Sequence, residues 1–286
     1  MDPSIPPYAR TQSHLFARSH LRLGRWALGL RKPLSHFRLI TEFGSGSAEM
    51  AHVARGLGFR GLFLIYDLPP MLLLQRYWLR LAGLPAYLLH HDVAPAMLRM
   101  PPGGSPAAAA TPCVLVSSLH TDASTGEMLL PIALRAIAKS VNVESVSSAQ
   151  HRHQASDHRS VTDSFGHALR QVLLEAIFVG FNSFTEASPA TRNALLPLLP
   201  HYGAIVIVFA PHIQGWNNLA FLSNMVRSMH LLDSHTVCAW RPLNRVGGGW
   251  LVATHKARAE QVRCVVAAGC SEGTRLDSIP QNCLSV

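Results

Sequence analysis

"RLITEFGSGSAEM", residues 38–50, decides how the rest of this chain is read. An apolar run ends at Glu42, Gly44 and Gly46 follow, and small residues lead into a helical pattern, AEMAHVARGLGF, that closes at Gly56 or Gly58. Strand, tight turn and helix in this order can hold the polar part of a nucleotide-like ligand at the carboxyl end of a parallel sheet. GLFLIYDLPP then reads as a second strand ending in Asp67 and stopped by Pro69 and Pro70. MLLLQRYWLRLAGLP reads as an amphipathic helix whose apolar stripe packs on the core, and AYLLHHDV as a third short strand. This alternation predicts a parallel sheet with crossover helices.

Beyond the third strand the pattern breaks. PPGGSPAAAA (101–110) is low-complexity linker, and periodicity stays poor to about residue 172. Order returns with VLLEAIFVGFNSFTEASPATRNALLPLL, read as strand, polar loop and helix, and with GAIVIVFAP (203–211), a buried strand. NNLAFLSNMVRSMHLL is a helix, and HTVCAWRPLNRVGGGWLVATHK reads as two strands joined around 247–249. The expectation is therefore an α/β, Rossmann-like, mostly parallel sheet of seven strands with an antiparallel last strand. A long, poorly ordered insert at 101–172 interrupts it, either a lineage-specific insertion or a faulty gene model. CVLVSSL (113–119) is the alternative fourth strand, ranked second because no clear helix and strand follow it. The organisation reads as a basic leader (1–37), an α/β domain (38–256) and a C-terminal tail (257–286).

Composition narrows the classes. With 48% apolar and 14% charged residues, the chain has material for a core and no signature of wholesale disorder. The net charge of +9 suggests a nucleic-acid surface until it is located. Residues 1–41 hold seven of the basic residues against Asp2 alone, so the excess charge lies at the N-terminal end and the rest of the chain is nearly balanced. An Arg-rich, acid-poor leader resembles an organellar transit peptide, so the compartment reads as intracellular, cytoplasmic or organellar. No run of 18 apolar residues predicts a membrane span. Cys113, Cys238, Cys264, Cys270 and Cys283 form no Cys-x-x-Cys pair and read as reduced thiols.

The glycine turn alone does not name a ligand. A dehydrogenase fingerprint needs a third glycine at position 49, which is Glu49, and a phosphate-cradling loop needs a lysine that is absent. A carboxylate at the helix start also repels pyrophosphate, which argues against NAD and ATP. Asp67 ends the second strand 25 positions after Glu42 and can accept hydrogen bonds from both hydroxyls of an adenosine ribose. Glu42 can face a cationic group. S-adenosylmethionine has a ribose, an ammonium and a sulfonium, and no phosphate.

EFGSGS followed by YDLPP resembles the class I S-adenosylmethionine-dependent methyltransferases, whose first motif is Glu/Asp-x-Gly-x-Gly-x-Gly and whose second strand ends in the acidic ribose ligand. The last glycine of that motif is Ala48 here. YDLPP is similar to the Asp-Leu-Pro of small-molecule O-methyltransferases, and NSFTEASPATRNALLPLL, GAIVIVF and GWNNLAFL are similar to the sugar O-methyltransferases. The resemblance covers about 38–100 and 173–256. It implies that Glu42, Gly44 and Gly46 hold the methionine moiety, Asp67 the ribose and Asp92 the adenine amino group. Asn182, Ser183 and Glu186 would line the place where methyl donor and acceptor meet. The implied acceptor is a small-molecule hydroxyl, sugar-like, and His212, Glu186, His120 and His230 are candidates for the base that takes its proton, His212 first.

Plainer readings stand beside these. Ser183 and Glu186 in SFTE fit a capping box, and Asp92 fits a helix N-cap. His90, His91 and the HRHQASDH stretch (151–158) lack the ligand clustering of a metal site, so no metal is expected. No Gly-x-Ser-x-Gly supports a hydrolase. The rivals are a methyltransferase-like binding protein without activity, or a truncated gene product, and a nucleic-acid methyltransferase. The last is disfavoured because NSFT stands where an Asn-Pro-Pro-aromatic motif would be expected.

Overall fold

A computed structural model describes residues 34–89, 112–119, 121, 129–149, 160–181, 183–210, 212–213, 216–240 and 249–257. Leader residues 1–33, the 151–158 histidines, Asp92, His120, Asn182 and tail residues 258–286 lie outside them.

The strands are β1 (Leu39–Phe43), β2 (Leu62–Asp67), β3 (Ala86–Leu89), β4 (Cys113–Ser117), β5 (Ala176–Phe181), β6 (Ala204–Phe209), a short β7–β8 ribbon (His212–Ile213 and Trp216–Asn217), β9 (His235–Trp240) and β10 (Gly249–His255). The helices are α1 (Glu49–Gly56), α2 (Pro69–Leu81), α3 (Leu129–Ala149), α4 (Ser160–Leu174), α5 (Ser183–Glu186), α6 (Pro189–Leu195), α7 (Asn218–Ser228) and α8 (Leu231–Ser234). One sheet carries eight strands in the order β3-β4-β2-β1-β5-β6-β10-β9. The last strand, β10, runs antiparallel to both neighbours, and the other pairings are parallel. The expected mostly parallel sheet with an antiparallel last strand is thus present.

Two corrections concern the strand count and the stretch 101–172. The sheet has eight strands rather than seven, because CVLVS is a central strand. β4 pairs with β2 on one side and β3 on the other, so β3 becomes the sheet edge. The described residues of the same stretch also form α3 and part of α4. Physically, β4 is an all-buried run, which suits a strand covered on both faces and paired on both edges.

Alternation along each strand builds two cores, one per face. Leu39, Leu64, Tyr66, Val116, Phe178 and Ile207 meet residues of α3, α4 and α7 on one face. Ile40, Phe63, Ile65, Leu115, Val179 and Val206 meet α1 and α2 on the other, together with Leu34 and Phe37, which are buried just before β1. The buried Thr41 hydroxyl accepts from Tyr202 at 3.0 Å across the sheet.

Helix α2 departs from the expected apolar stripe. Pro69 and Pro70 start it rather than merely ending the strand, since proline suits the first helical positions. Its core-facing line is Leu72, Gln75 and Leu79, whereas Leu73, Leu74, Tyr77 and Leu81 are exposed. The helix therefore buries a polar residue and shows apolar ones. Among the described residues no helix is long and apolar enough to cross a membrane.

Candidate functional site

Ligands of open α/β sheets sit beyond the carboxyl ends of the strands, where the strand order reverses. Here that place is between β1 and β5, at the loop 44–48. Gly44 has φ +67° and donates its N–H to the Tyr66 carbonyl at 2.9 Å. A Cβ on it would lie 2.1 Å from Ser183 Cβ, so both backbone conformation and space require glycine. Gly46 has φ +56° with nothing within 4 Å of a built Cβ, so backbone conformation alone requires it. Ala48, the departure from the third motif glycine, takes the same left-handed conformation at φ 62° and starts α1 without a side-chain cap.

Glu42 and Asp67 come together at this loop, and Ser45 bridges them. The Ser45 hydroxyl donates to Glu42 Oε2 at 2.6 Å, and its N–H donates to Asp67 Oδ2 at 3.0 Å. Glu42 is 2% exposed. Burial pushes its carboxyl up to about 8; the Ser45 hydrogen bond opposes this and the Asp67 charge adds to it. At neutral pH, with no cation beside it, Glu42 is therefore mostly protonated.

Asp67 is buried and internally bonded. Oδ1 accepts from the Leu68 N–H at 2.8 Å, and Oδ2 accepts from Ser45 and from Gln75 Nε2, the latter at 2.5 Å. A carboxylate offers about four acceptor positions. Among the described residues three are used, leaving one on Oδ1. Gln75 also donates to the Gly46 carbonyl at 3.0 Å, while its own Oε1 has no partner among the described residues.

The other predicted residues are placed unevenly. Ser183 packs on Gly44, and its hydroxyl shares its single proton between the Gly44 and Phe181 carbonyls, at 2.9 and 2.8 Å. That hydroxyl does not accept from the Glu186 N–H, so the Ser-x-x-Glu spacing does not close as a capping box. Instead it ties the end of β5 to the glycine loop. Glu186 is exposed at the end of α5. The backbone of His212 lies in β7, directly after β6 and so at the same end of the sheet as the loop. His230 does not belong to the site. It is exposed before β9, whose start pairs with the end of β10, at the amino ends of the parallel strands. Asp92 follows β3, and β3 is separated from β2 by β4. Beside Asp67 lie Ser117, its register partner, and Ser118, whose N–H donates to the Asp67 carbonyl at 2.8 Å.

Five residues escaped the sequence reading: Ser45, Gln75, Ser117, Ser118 and Asn218. Asn218 is buried, donates to the Ala210 carbonyl at 2.7 Å and has no partner for its Oδ1 among the described residues. Gln75 alone had a signal, a polar residue three and four positions from leucines on a core-facing line. Among the described residues no cluster of three or more His, Cys, Asp or Glu could hold a metal.

No protein-family model and no curated protein matches the chain. Solved structures similar to it include the methyltransferase domain of bacterial CtHen1-C, at 9% identity and TM-score 0.42, covering 83% of this chain and 98% of that one. The N-terminal domain of human METTL16, in complex with SAH, is similar at 10% identity and TM-score 0.43, over 89% of this chain and 72% of that one. Magnesium protoporphyrin IX methyltransferase from Synechocystis PCC 6803, with bound SAM, is similar at 9% identity and TM-score 0.41, over 89% and 86%. Likeness at this distance says nothing of ligand or reaction, which have to come from the residues themselves.

Proposed function

We propose that this chain is an S-adenosylmethionine-dependent methyltransferase acting on a hydroxyl of a small, sugar-like molecule. The observation that carries the reading is the pair of buried carboxylates, Glu42 and Asp67, bridged by Ser45 at the adjoining ends of β1 and β2 above a left-handed glycine turn. The Asp67 carboxylate repels phosphate, and a Glu42 carboxyl beside it that can give up its proton favours a cation. One free acceptor position on Asp67 suits a sugar hydroxyl. The ligand class that combines a ribose and cationic groups without phosphate is S-adenosylmethionine.

Asp67 would hold the ribose through Oδ1, and the 44–46 backbone would run close to the methionine moiety. Glu42 would lose its proton and balance the ligand's positive charge. The cofactor supplies an electrophilic methyl group on a sulfonium. The chain's part in such a displacement is to align the acceptor, exclude water and take the acceptor's proton. His212 and Glu186 follow β6 and β5 and are the proposed sources of that base. Ser117 and Ser118 replace Asp92 as the proposed neighbours of the adenine.

One observation favours a second reading, a methyltransferase-like binding protein without activity. Asp67 spends three of its acceptor positions on the chain itself. Methyl-labelled S-adenosylmethionine incubated with the full chain and a panel of sugars and alcohols separates the two. Label transferred to a hydroxyl supports the enzyme, and tight cofactor binding with no transfer to any acceptor supports the second reading.

A further inference from the structure

We infer that Gln75 is a positioning residue for the ligand: its carboxamide fixes the Asp67 carboxylate and the Gly46 carbonyl together, so that Asp67 presents Oδ1 alone to the crevice. This rests on the reading of the crevice as the site of a ribose-bearing methyl donor.

Gln75 is fully buried on α2 between Leu72 and Leu79, where a leucine would extend the core. Its Nε2 donates to Asp67 Oδ2 and to the Gly46 carbonyl. Both partners can only accept, which fixes which end of the amide faces them. The opposite end, Oε1, is buried without a partner among the described residues. A buried orphan acceptor costs about as much as one or two ordinary hydrogen bonds contribute. The amide's gain in stability is therefore largely cancelled by its own carbonyl, and stability gives little reason for it.

What the amide does accomplish is geometric. It joins the glycine loop to the end of β2, and with the Ser45 N–H it fills both acceptor positions of Oδ2. The carboxylate can no longer rotate, and its remaining acceptor position is held in one place. A rigid supporting partner of this kind holds a binding group at the angle its ligand needs.

The test is calorimetric titration of S-adenosylhomocysteine into wild type, Gln75→Met and Gln75→Glu between pH 5.5 and 8, with the Tm of each free protein. Methionine keeps the length and removes both donors. Glutamate, when protonated, restores one donor to Asp67; when ionised, it adds a third carboxylate beside Asp67 of β2 and Glu42 of β1. The expected result is a Kd at least tenfold higher for Gln75→Met, with its Tm close to wild type. Gln75→Glu should bind more tightly as pH falls, whereas wild type should bind less tightly because Glu42 gains a proton. A Gln75→Met Kd within threefold of wild type overturns the inference. If that variant fails to fold, a Gln75→Glu profile parallel to wild type overturns it instead. Wild type that does not bind S-adenosylhomocysteine at all removes the reading of the site, and the inference falls with it.

Discussion

Gly44→Ala and Gly46→Ala look alike in sequence and should differ in stability by several kcal/mol. Both residues have positive φ, where an alanine is strained by about 1–2 kcal/mol. At Gly46 that is the whole cost, since a built Cβ meets nothing within 4 Å. At Gly44 the added carbon falls 2.1 Å from Ser183 Cβ and 2.2 Å from its Oγ, far inside contact distance. Relieving such overpacking costs about 1–3 kcal/mol. Moving Ser183 also breaks its bond to the Gly44 carbonyl, roughly 1 kcal/mol more. Gly44→Ala should therefore cost about 3–6 kcal/mol, against about 1–2 for Gly46→Ala. Urea unfolding followed by far-UV circular dichroism measures both from the midpoint and slope. Adding Ser183→Gly to Gly44→Ala removes the collision and should recover about 1–3 kcal/mol of the loss. Equal costs for the two single variants, or no recovery in the double variant, would refute the placement of Ser183 on Gly44.

Two pH effects of opposite sign should appear in stability. His235 is buried, and burial lowers its pKa to about 4, with the Tyr202 carbonyl opposing and His255 assisting. Its Nε2 donates to that carbonyl at 2.9 Å, so Nδ1 accepts from the Ser234 hydroxyl at 2.7 Å, and the neutral ring is the one that fits. Stability from this residue is present above the ordinary histidine value of 6.5 and is lost as pH falls through 4, on the order of 3 kcal/mol. A thermal-denaturation series from pH 7 to 4 should fall less steeply for His235→Phe. Glu42 acts the other way: with its pKa raised from 4.5 to about 8, the free protein loses stability as pH rises through that window. Glu42→Gln should remove that slope, which urea midpoints at pH 5, 6.5 and 8 would check. Tyr202→Phe strands the buried Thr41 hydroxyl and should cost about 1–3 kcal/mol in urea unfolding.

What could be read from the sequence follows from which forces act locally. β1, the glycine turn, α1 and β2 are contiguous, and their apolar runs, turn residues and carboxylates were legible together. The place of β4 was not, because its partners β2 and β3 precede it and the pairing is decided by the sheet rather than by its own residues. Once β4 enters between β2 and β3, the positions beside Asp67 are Ser117 and Ser118. Helix α2 showed its amphipathic period but not which line faces inward. Four apolar side chains, Leu73, Leu74, Tyr77 and Leu81, remain exposed while Gln75 is enclosed. Gln75 could be seen as a polar break in an apolar helix, but its partners lie on β2 and the loop after β1, contacts that no spacing rule reaches. The SFTE motif misled for a related reason: a capping box is local, whereas Ser183 found its acceptor on Gly44, 139 positions away.

The central claim is that the Glu42–Asp67 crevice holds S-adenosylmethionine. Its most direct test is thermal stabilisation of the full chain by S-adenosylhomocysteine, with NAD as control, on wild type and Asp67→Ala. At 100 times its dissociation constant the ligand should stabilise wild type by about 2.7 kcal/mol. The expected result is that shift for wild type, none with NAD, and its loss in Asp67→Ala. A folded wild type that S-adenosylhomocysteine leaves unshifted, or an equal shift in Asp67→Ala, would contradict it.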